Sequence, residues 1–293
     1  MMIAEEALSP CHFFQLQSRY VWERIAFARK MNLRISETSV TEELLYHFYQ
    51  YFETFRVPVR LFESVEERRN GSDLEVLIKS ERGFILLACQ AKITYKSGNY
   101  KSFHHEVGGA RQIDLLQAYA KRHGGIAQYL FYNFIPDWMM AREITTIKNI
   151  SDQGITHLAA DEIREWMKGY EEVGRKPPVP GFHTFHPMAA LPFHQLICAL
   201  LRGDLTPLRA FPDEVVTALS YYDEEDVSDA ASWRRITSLA KIGHVTEEVI
   251  DKQHTDQTSV QALKKQKEPP YFKPKFRLVI GGENSSGGIF SIE

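Results

Sequence analysis

Residues 84–92, Phe-Ile-Leu-Leu-Ala-Cys-Gln-Ala-Lys, form an apolar run that ends in two polar side chains, Gln90 and Lys92. In a strand alternate residues share a face, which puts Phe84, Leu86 and Ala88 on the same side as Gln90 and Lys92. An amide and an ammonium buried beside such a core are costly unless each finds a partner, so acids, a metal or solvent must meet them. The preceding segment supplies acids. Asp73 and Glu75 alternate onto one face directly after the turn-forming pair Asn70-Gly71. If the two segments pair, carboxylates come to Gln90 and Lys92. Upstream, helical spacing sets Glu37 on the apolar stripe of Leu44, Phe48 and Phe55, whereas Glu42 and Glu43 point away from it. Carboxylates at Glu37, Asp73 and Glu75, an amide oxygen at Gln90 and a lysine beside them make a hard-oxygen cage suited to Mg²⁺ or Mn²⁺. Such a set has the equipment to cleave a phosphodiester.

The elements that must position these groups follow from periodicity. Residues 36–55 read as a long amphipathic helix, with Ser39 and Glu42 in the form of a capping box. Residues 57–65, 73–78 and 84–93 read as three strands of an antiparallel meander. Residues 110–123 carry Ile113, Leu116 and Ala120 on one stripe and end at Gly124-Gly125, a helix with its stop. The aromatic run 129–134 reads as a buried strand. Farther on, 161–170 is helical in pattern, 176–192 is a proline-rich irregular excursion, and 196–201 returns to core composition. Phe211-Pro212 marks the expected boundary between a domain over 30–210 and a C-terminal extension over 211–293, which includes a basic stretch at 264–275.

The residues Gly71-Ser72-Asp73 and Gln90-Ala91-Lys92, in a helix, three strands, helix, strand order, resemble the PD-(D/E)XK nuclease superfamily. The resemblance is to its D-x(n)-Q-x-K branch, which includes Mrr-type restriction enzymes. A bacterial restriction-endonuclease-like branch is also similar in its E-T-S-[IV]-T helix start (37–41), G-x-D-x-E (71–75), Q-I-D-L-L (112–116), F-Y-N (131–133) and P-x-H-x-L (192–196). The resemblance implies an α/β, restriction-endonuclease-like fold with a central mixed β-sheet flanked by helices. It also implies a Mg²⁺- or Mn²⁺-dependent endonuclease acting on DNA, in bacterial defence against foreign DNA. In that reading Asp73, the Gln90 side-chain oxygen and the Ala91 carbonyl bind metal, Glu37 ligates from the helix side, and Lys92 orients the attacking water and stabilises phosphate charge. Glu75 joins the ligands without a general equivalent in the superfamily. Gln90 stands where an acid is usual, which removes one negative charge from the cage. Two alternatives stay open: a catalytically weak or inactive nucleic-acid-binding module of the same fold, and a nuclease directed to RNA.

Composition narrows the partners. The chain of 293 residues has 35 basic and 38 acidic side chains and a formal charge of −3, so nucleic acid must be met by a local patch rather than an overall field. Lys96, Lys101, Arg111 and Gln112, all downstream of Lys92, are the candidates. A homodimer and an activating partner are left open. Cys11, Cys89 and Cys198 are odd in number and far apart, which suggests neither a disulfide framework nor a cysteine zinc site and fits a cytoplasmic protein. No apolar stretch approaches the roughly 20 residues of a membrane span. His183, His186 and His194 lack the spacing of a helical zinc pair, and His104 and His105 read as loop residues.

Overall fold

The computed structural model describes residues 10–55, 59–64, 73–101, 103–139, 149–206, 219–227, 233–236, 272 and 274–281; Pro10, Phe52, Asp73, Val107, Glu224 and Arg234 are described through their backbone alone. Two helices open the described chain, α1 (Pro10–Lys30) and α2 (Glu37–Phe55), and strands β1 (Val59–Ser64), β2 (Asp73–Ser80) and β3 (Gly83–Ile93) follow. A short ribbon, β4 (Glu106–Val107) and β5 (Ala110–Arg111), leads into α3 (Gln112–Arg122) and β6 (Ile126–Tyr132). Next come β7 (Ile155–Ala159), α4 (Ala160–Glu171), the single turn α5 (Phe182–Phe185), β8 (Leu191–Pro192) and α6 (Phe193–Leu201). The described chain closes with α7 (Glu224–Val227), β9 (Trp233–Arg235) and β10 (Phe276–Ile280). No helix among the described residues is long and apolar enough to cross a membrane.

The fold is α/β, with one mixed sheet of eight described strands in the order β8-β7-β6-β3-β2-β10-β1-β9. β2 and β3 pair antiparallel, as expected from their spacing, and β3 runs parallel to β6 through the α3 crossover. The first three strands are not a meander. β10 lies between β1 and β2, antiparallel to the first and parallel to the second. Residues 276–280, beyond the boundary expected near residue 210, form a central strand of this sheet. Such a strand must be apolar on both faces to be buried there, and all five of its residues are buried.

Helices cover both faces of the sheet. α1, α2 and α6 pack on the side that carries Leu74, Val76, Leu87, Cys89, Ala91 and Ile93. α3 and α4 cover the side of Ala88, Tyr129 and Phe131. The approach of α1 is close enough that a Cβ at Gly154 would run into the Ser18 carbonyl, so only glycine fits there. α2 begins one turn earlier than its expected box. Ser36 and Ser39 cap it reciprocally, with Ser39 N–H donating to Ser36 Oγ at 3.2 Å and Ser36 N–H to Ser39 Oγ at 3.1 Å. Glu42 instead pairs with Lys275 at 2.7 Å, which ties α2 to the strand end before β10. Of the expected stripe on α2, Leu44 and Phe48 are buried but Phe55 is exposed. The packing of α1 on α6 also joins Cys11 to Cys198 in a disulfide across 187 residues, with Cα atoms 5.2 Å apart, and leaves Cys89 as a buried thiol. The expectation that the cysteines form no disulfide framework is corrected to this one bridge, a tertiary contact that spacing alone cannot reveal.

Two histidines are sealed in these layers. His157 Nδ1 meets Gln128 Oε1 at 3.2 Å. His186 donates from Nδ1 to the Phe182 carbonyl at 2.9 Å, and its Nε2 lies 2.7 Å from Thr156 Oγ1. Burial holds both rings neutral, pushing His157 down to about 4 and His186 to about 3 from an ordinary 6.5. The unfolded chain therefore binds more protons between these values, and stability falls as pH drops. The contribution is complete above about pH 6.5 and is lost towards about pH 4 for His157 and about pH 3 for His186, on the order of 3 and 5 kcal/mol respectively. Urea unfolding across that range should show a falling midpoint whose slope shrinks in His157→Gln; a midpoint indifferent to pH in the parent protein would refute this account.

Candidate functional site

The β2–β3 register sets Asp73 opposite Gln90 and Glu75 opposite Ala88. Beyond Gln90, residues Ala91 to Ile93 continue past the described start of β2, paired with Leu130, Phe131 and Tyr132 of β6. At the tip of β3 Gln90 and Lys92 share a face, and Gln112 reaches Lys92 there. Lys92 is 4% exposed, and its Nζ donates to Gln112 Oε1 at 2.7 Å. Gln90 is fully buried on the same face, its Nε2 lying 3.5 Å from the Ala91 carbonyl. Gln112 is the first residue of α3, and its N–H bonds to the His105 carbonyl at 3.1 Å, so the ribbon and the helix start fix where its side chain can reach.

Glu37 approaches the same tip from the opposite layer. It opens α2, and its Oε1 lies 3.4 Å from the Ile93 N–H. The next N–H, of Thr94, is taken by Tyr132 O at 2.9 Å, so successive amides alternate between the β6 side and the Glu37 side. Thr41, one turn along α2, bonds the Tyr132 hydroxyl at 2.8 Å and seats the helix on β6. Asp73 is present through its backbone, opposite Gln90; its side chain lies outside the described atoms, as do Gly71 and Ser72.

Glu75 does not belong with these groups. One of its oxygens accepts from the Tyr119 hydroxyl on α3, and the other accepts from Arg277 Nε at 2.7 Å, with both ion-pair partners buried. Arg277 also donates to the Val227 carbonyl at 3.1 Å and lies 4.2 Å over the Trp233 ring. The carboxylate expected as a ligand is therefore committed to joining β2, β10 and α3. Burial, and then the Glu75 charge, raise the Tyr119 hydroxyl far above its ordinary value, so it stays a donor. A lone arginine in the apolar strand Phe-Arg-Leu-Val-Ile was the available signal that a buried acid awaited a cation.

The candidate nucleic-acid contacts fall in different places, Lys96 and Lys101 on the chain after β3 and Arg111 against α4. Lys96 Nζ donates to Asn32 Oδ1 at 2.6 Å, and Lys101 Nζ sits 4.7 Å over the Tyr95 ring. Arg111 pairs with Glu171, which spends its charge on α4 rather than leaving it for an external anion. The histidines are dispersed too: His183 meets the Met139 carbonyl at 2.7 Å, His186 is in the core, and His104 meets the Pro178 carbonyl at 2.9 Å. Among the described residues no three His, Cys, Asp or Glu side chains form a metal-holding group. The β3 tip carries the Gln90 amide and the Ala91 carbonyl, and the Glu37 carboxylate meets its Ile93 N–H; oxygen donors of these kinds are the hard ligands that Mg²⁺ or Mn²⁺ takes.

Removing one partner of a buried pair leaves an uncompensated charge, at a cost of about 3–5 kcal/mol. Arg277→Met should lower unfolding stability by that order in denaturant titrations, whereas Glu75→Gln with Arg277→Met together should recover part of the loss. If Glu75 were instead a ligand, Glu75→Gln would weaken Mn²⁺ affinity at unchanged stability, contrary to the role its partners give it.

Neither curated proteins nor solved structures match the chain. A model of a family of unknown function, DUF6615, matches residues 10–280, and the chain belongs to that family.

Proposed function

We propose that this protein is a metal-dependent endonuclease that hydrolyses phosphodiester bonds in DNA, with its active site at the tip of β3. The observation that carries the reading is Lys92, an ammonium buried at the end of an apolar strand and held by Gln112, with Gln90 on its face and Asp73 across the register. A lysine in such a place is expensive to bury and is worth keeping where an anion must be met. The similarity to D-x(n)-Q-x-K nucleases agrees with the same residues.

In this reading Asp73, the Gln90 amide oxygen, the Ala91 carbonyl and Glu37 hold Mg²⁺ or Mn²⁺. The ion supplies Lewis-acid activation of water and of the phosphoryl oxygen. Lys92 orients the attacking water and offsets charge that builds on the phosphate, in a site where low exposure strengthens that interaction. Gln112 keeps the ammonium aimed at one point. Glu75 acts only on the scaffold. Action in the cytoplasm, where foreign DNA arrives, goes with this chemistry.

One observation favours a second reading. Gln90 contributes no negative charge, and a cage with one acid fewer binds metal more weakly, as an inactive nucleic-acid-binding module would tolerate. The two are separated by incubating the purified protein with plasmid, single-stranded DNA and RNA in Mg²⁺, Mn²⁺ or chelator. Cleavage of DNA that needs metal, drops roughly 10²-fold or more in Lys92→Ala and Asp73→Asn, and drops about tenfold in Gln112→Ala is the expected result. Cleavage that survives Lys92→Ala and Asp73→Asn would remove the site. Binding without cleavage under every condition would favour the inactive module, and preference for RNA would change the substrate.

A further inference from the structure

The turn that joins α1 to α2 holds two apolar side chains out in solvent between cations, next to the tip of β3. α1 ends at Lys30, and Asn32 turns the chain at φ 54. The N–H groups of Met31, Asn32 and Leu33 bond back to the carbonyls of Phe27, Arg29 and Ala28 at 2.9, 3.2 and 2.8 Å, so the turn is built rather than loose. Met31 is 55% exposed and Leu33 53% exposed, with Lys30 and Arg34 exposed on either side.

This turn is pinned to the strand end. Arg29 donates to the Phe134 carbonyl at 2.7 Å and to Thr94 Oγ1 at 2.9 Å, which fixes the last turn of α1 to the chain just past β3 and β6. Asn32 accepts from the exposed Lys96 at 2.6 Å. Arg34 lies near enough to act electrostatically on the half-buried Tyr95 hydroxyl, and exposed Lys101 covers the Tyr95 ring. Two segments, 30–34 and 95–101, thus make one rim. Glu37 is the acid on this rim, and its carboxylate faces inward to the Ile93 N–H. In a chain of net charge −3, four cations gathered around an apolar pair are a local exception.

Cations along a path call for a polyanion, and exposed apolar side chains between them call for flat apolar faces. An unpaired nucleic-acid strand offers both at each repeat, whereas a duplex keeps its base faces stacked inside. We propose that this rim is the binding platform for an unpaired nucleic-acid strand, with Lys30, Arg34, Lys96 and Lys101 on its phosphates and Met31 and Leu33 against its bases. The inference rests on the nuclease reading for the strand's destination, since the rim adjoins the chain just past the β3 tip that carries Lys92.

The test is fluorescence anisotropy of the full-length protein with a labelled oligothymidylate of about 20 nucleotides, in chelator so that binding is read without cleavage. The parent protein should bind this strand more tightly than a blunt duplex of equal length. Lys30→Ala with Arg34→Ala should weaken binding about tenfold and reduce the salt slope by about 1.4, the value for two lost phosphate contacts on a single strand. Met31→Ser with Leu33→Ser should also weaken binding about tenfold while leaving the salt slope unchanged. Circular dichroism melts confirm that each variant is folded. The platform is overturned by variants that bind like the parent, by a parent that binds no oligonucleotide, or by tighter binding to phosphatidylserine vesicles than to the strand. A dimer that Met31→Ser with Leu33→Ser dissolves without altering oligonucleotide binding would also overturn it. If DNA cleavage is present but indifferent to these variants, the platform falls and the nuclease reading stands. If strand binding depends on them but no cleavage occurs, the reverse holds.

Discussion

β2 and β3 pair with Asp73 opposite Gln90, and this register decides which side chains meet at the end of the sheet. Because strand side chains alternate, a slip of one residue would turn Gln90 and Lys92 towards α1, α2 and α6 and set Cys89 and Ala91 against α3. Several contacts prevent it. Ser80 Oγ donates to the Gly83 carbonyl at 2.7 Å across the hairpin end, and Gly83 adopts φ 133, where a Cβ would lie 2.7 Å from the Tyr222 carbonyl. Tyr222 in turn exchanges backbone hydrogen bonds with Phe84 at 2.9 and 3.0 Å, so the hairpin is clamped from outside the strand pair. On the far side, β6 holds Gln90 opposite Tyr129 and Lys92 opposite Phe131.

The second constraint is the insertion of β10. Its five residues come from the far end of the chain, yet they separate β1 from β2. In the observed register Arg277 stands opposite Glu75, and displacement by one residue would turn the guanidinium to the apolar face and leave Glu75 buried without a cation. The pair is thus a register lock more than a source of stability, since the desolvation of two charges offsets much of their attraction. Trp233 stacking on Arg277 and the Val227 carbonyl extend the lock to β9 and α7. Through the Tyr119 hydroxyl the lock also reaches α3, the helix whose first residue holds Lys92.

Elements whose own side-chain period is strong were legible from residues alone. α2, β2, β3, α3 and β6 fall within a few residues of their expected spans, and the shared face of Ala88, Gln90 and Lys92 follows from alternation. What escaped depends on partners remote in sequence. β10 reads locally as any short apolar strand, and nothing in Phe-Arg-Leu-Val-Ile states that it enters between β1 and β2. The Cys11–Cys198 bridge depends on α1 meeting α6, and α1 itself, with aromatic and charged residues on most sides, gives a weak apolar stripe. The face of Glu75 was readable, but alternation does not say which group the carboxylate will meet. Arg277 took it away from the site.

Gln112 meets the buried lysine with a neutral oxygen. A carboxylate at that position would also satisfy an ammonium donor, and more strongly, but it would cancel the charge and favour a closed ion pair. An amide oxygen at 2.7 Å accepts one hydrogen bond and leaves the formal charge of Lys92 intact. The acid of the buried Glu75–Arg277 pair sits two residues along β2 from Asp73, with its own cation and its own phenol, so its charge is answered within the scaffold. Two polar clusters thus share one face of β2 and β3: the Glu75–Arg277 pair, which holds strands in register, and the contact of Lys92 with Gln112 at the tip of β3. The second lies at the strand end where Glu37 meets the Ile93 N–H, next to the turn over 30–34 that Lys96 joins through Asn32.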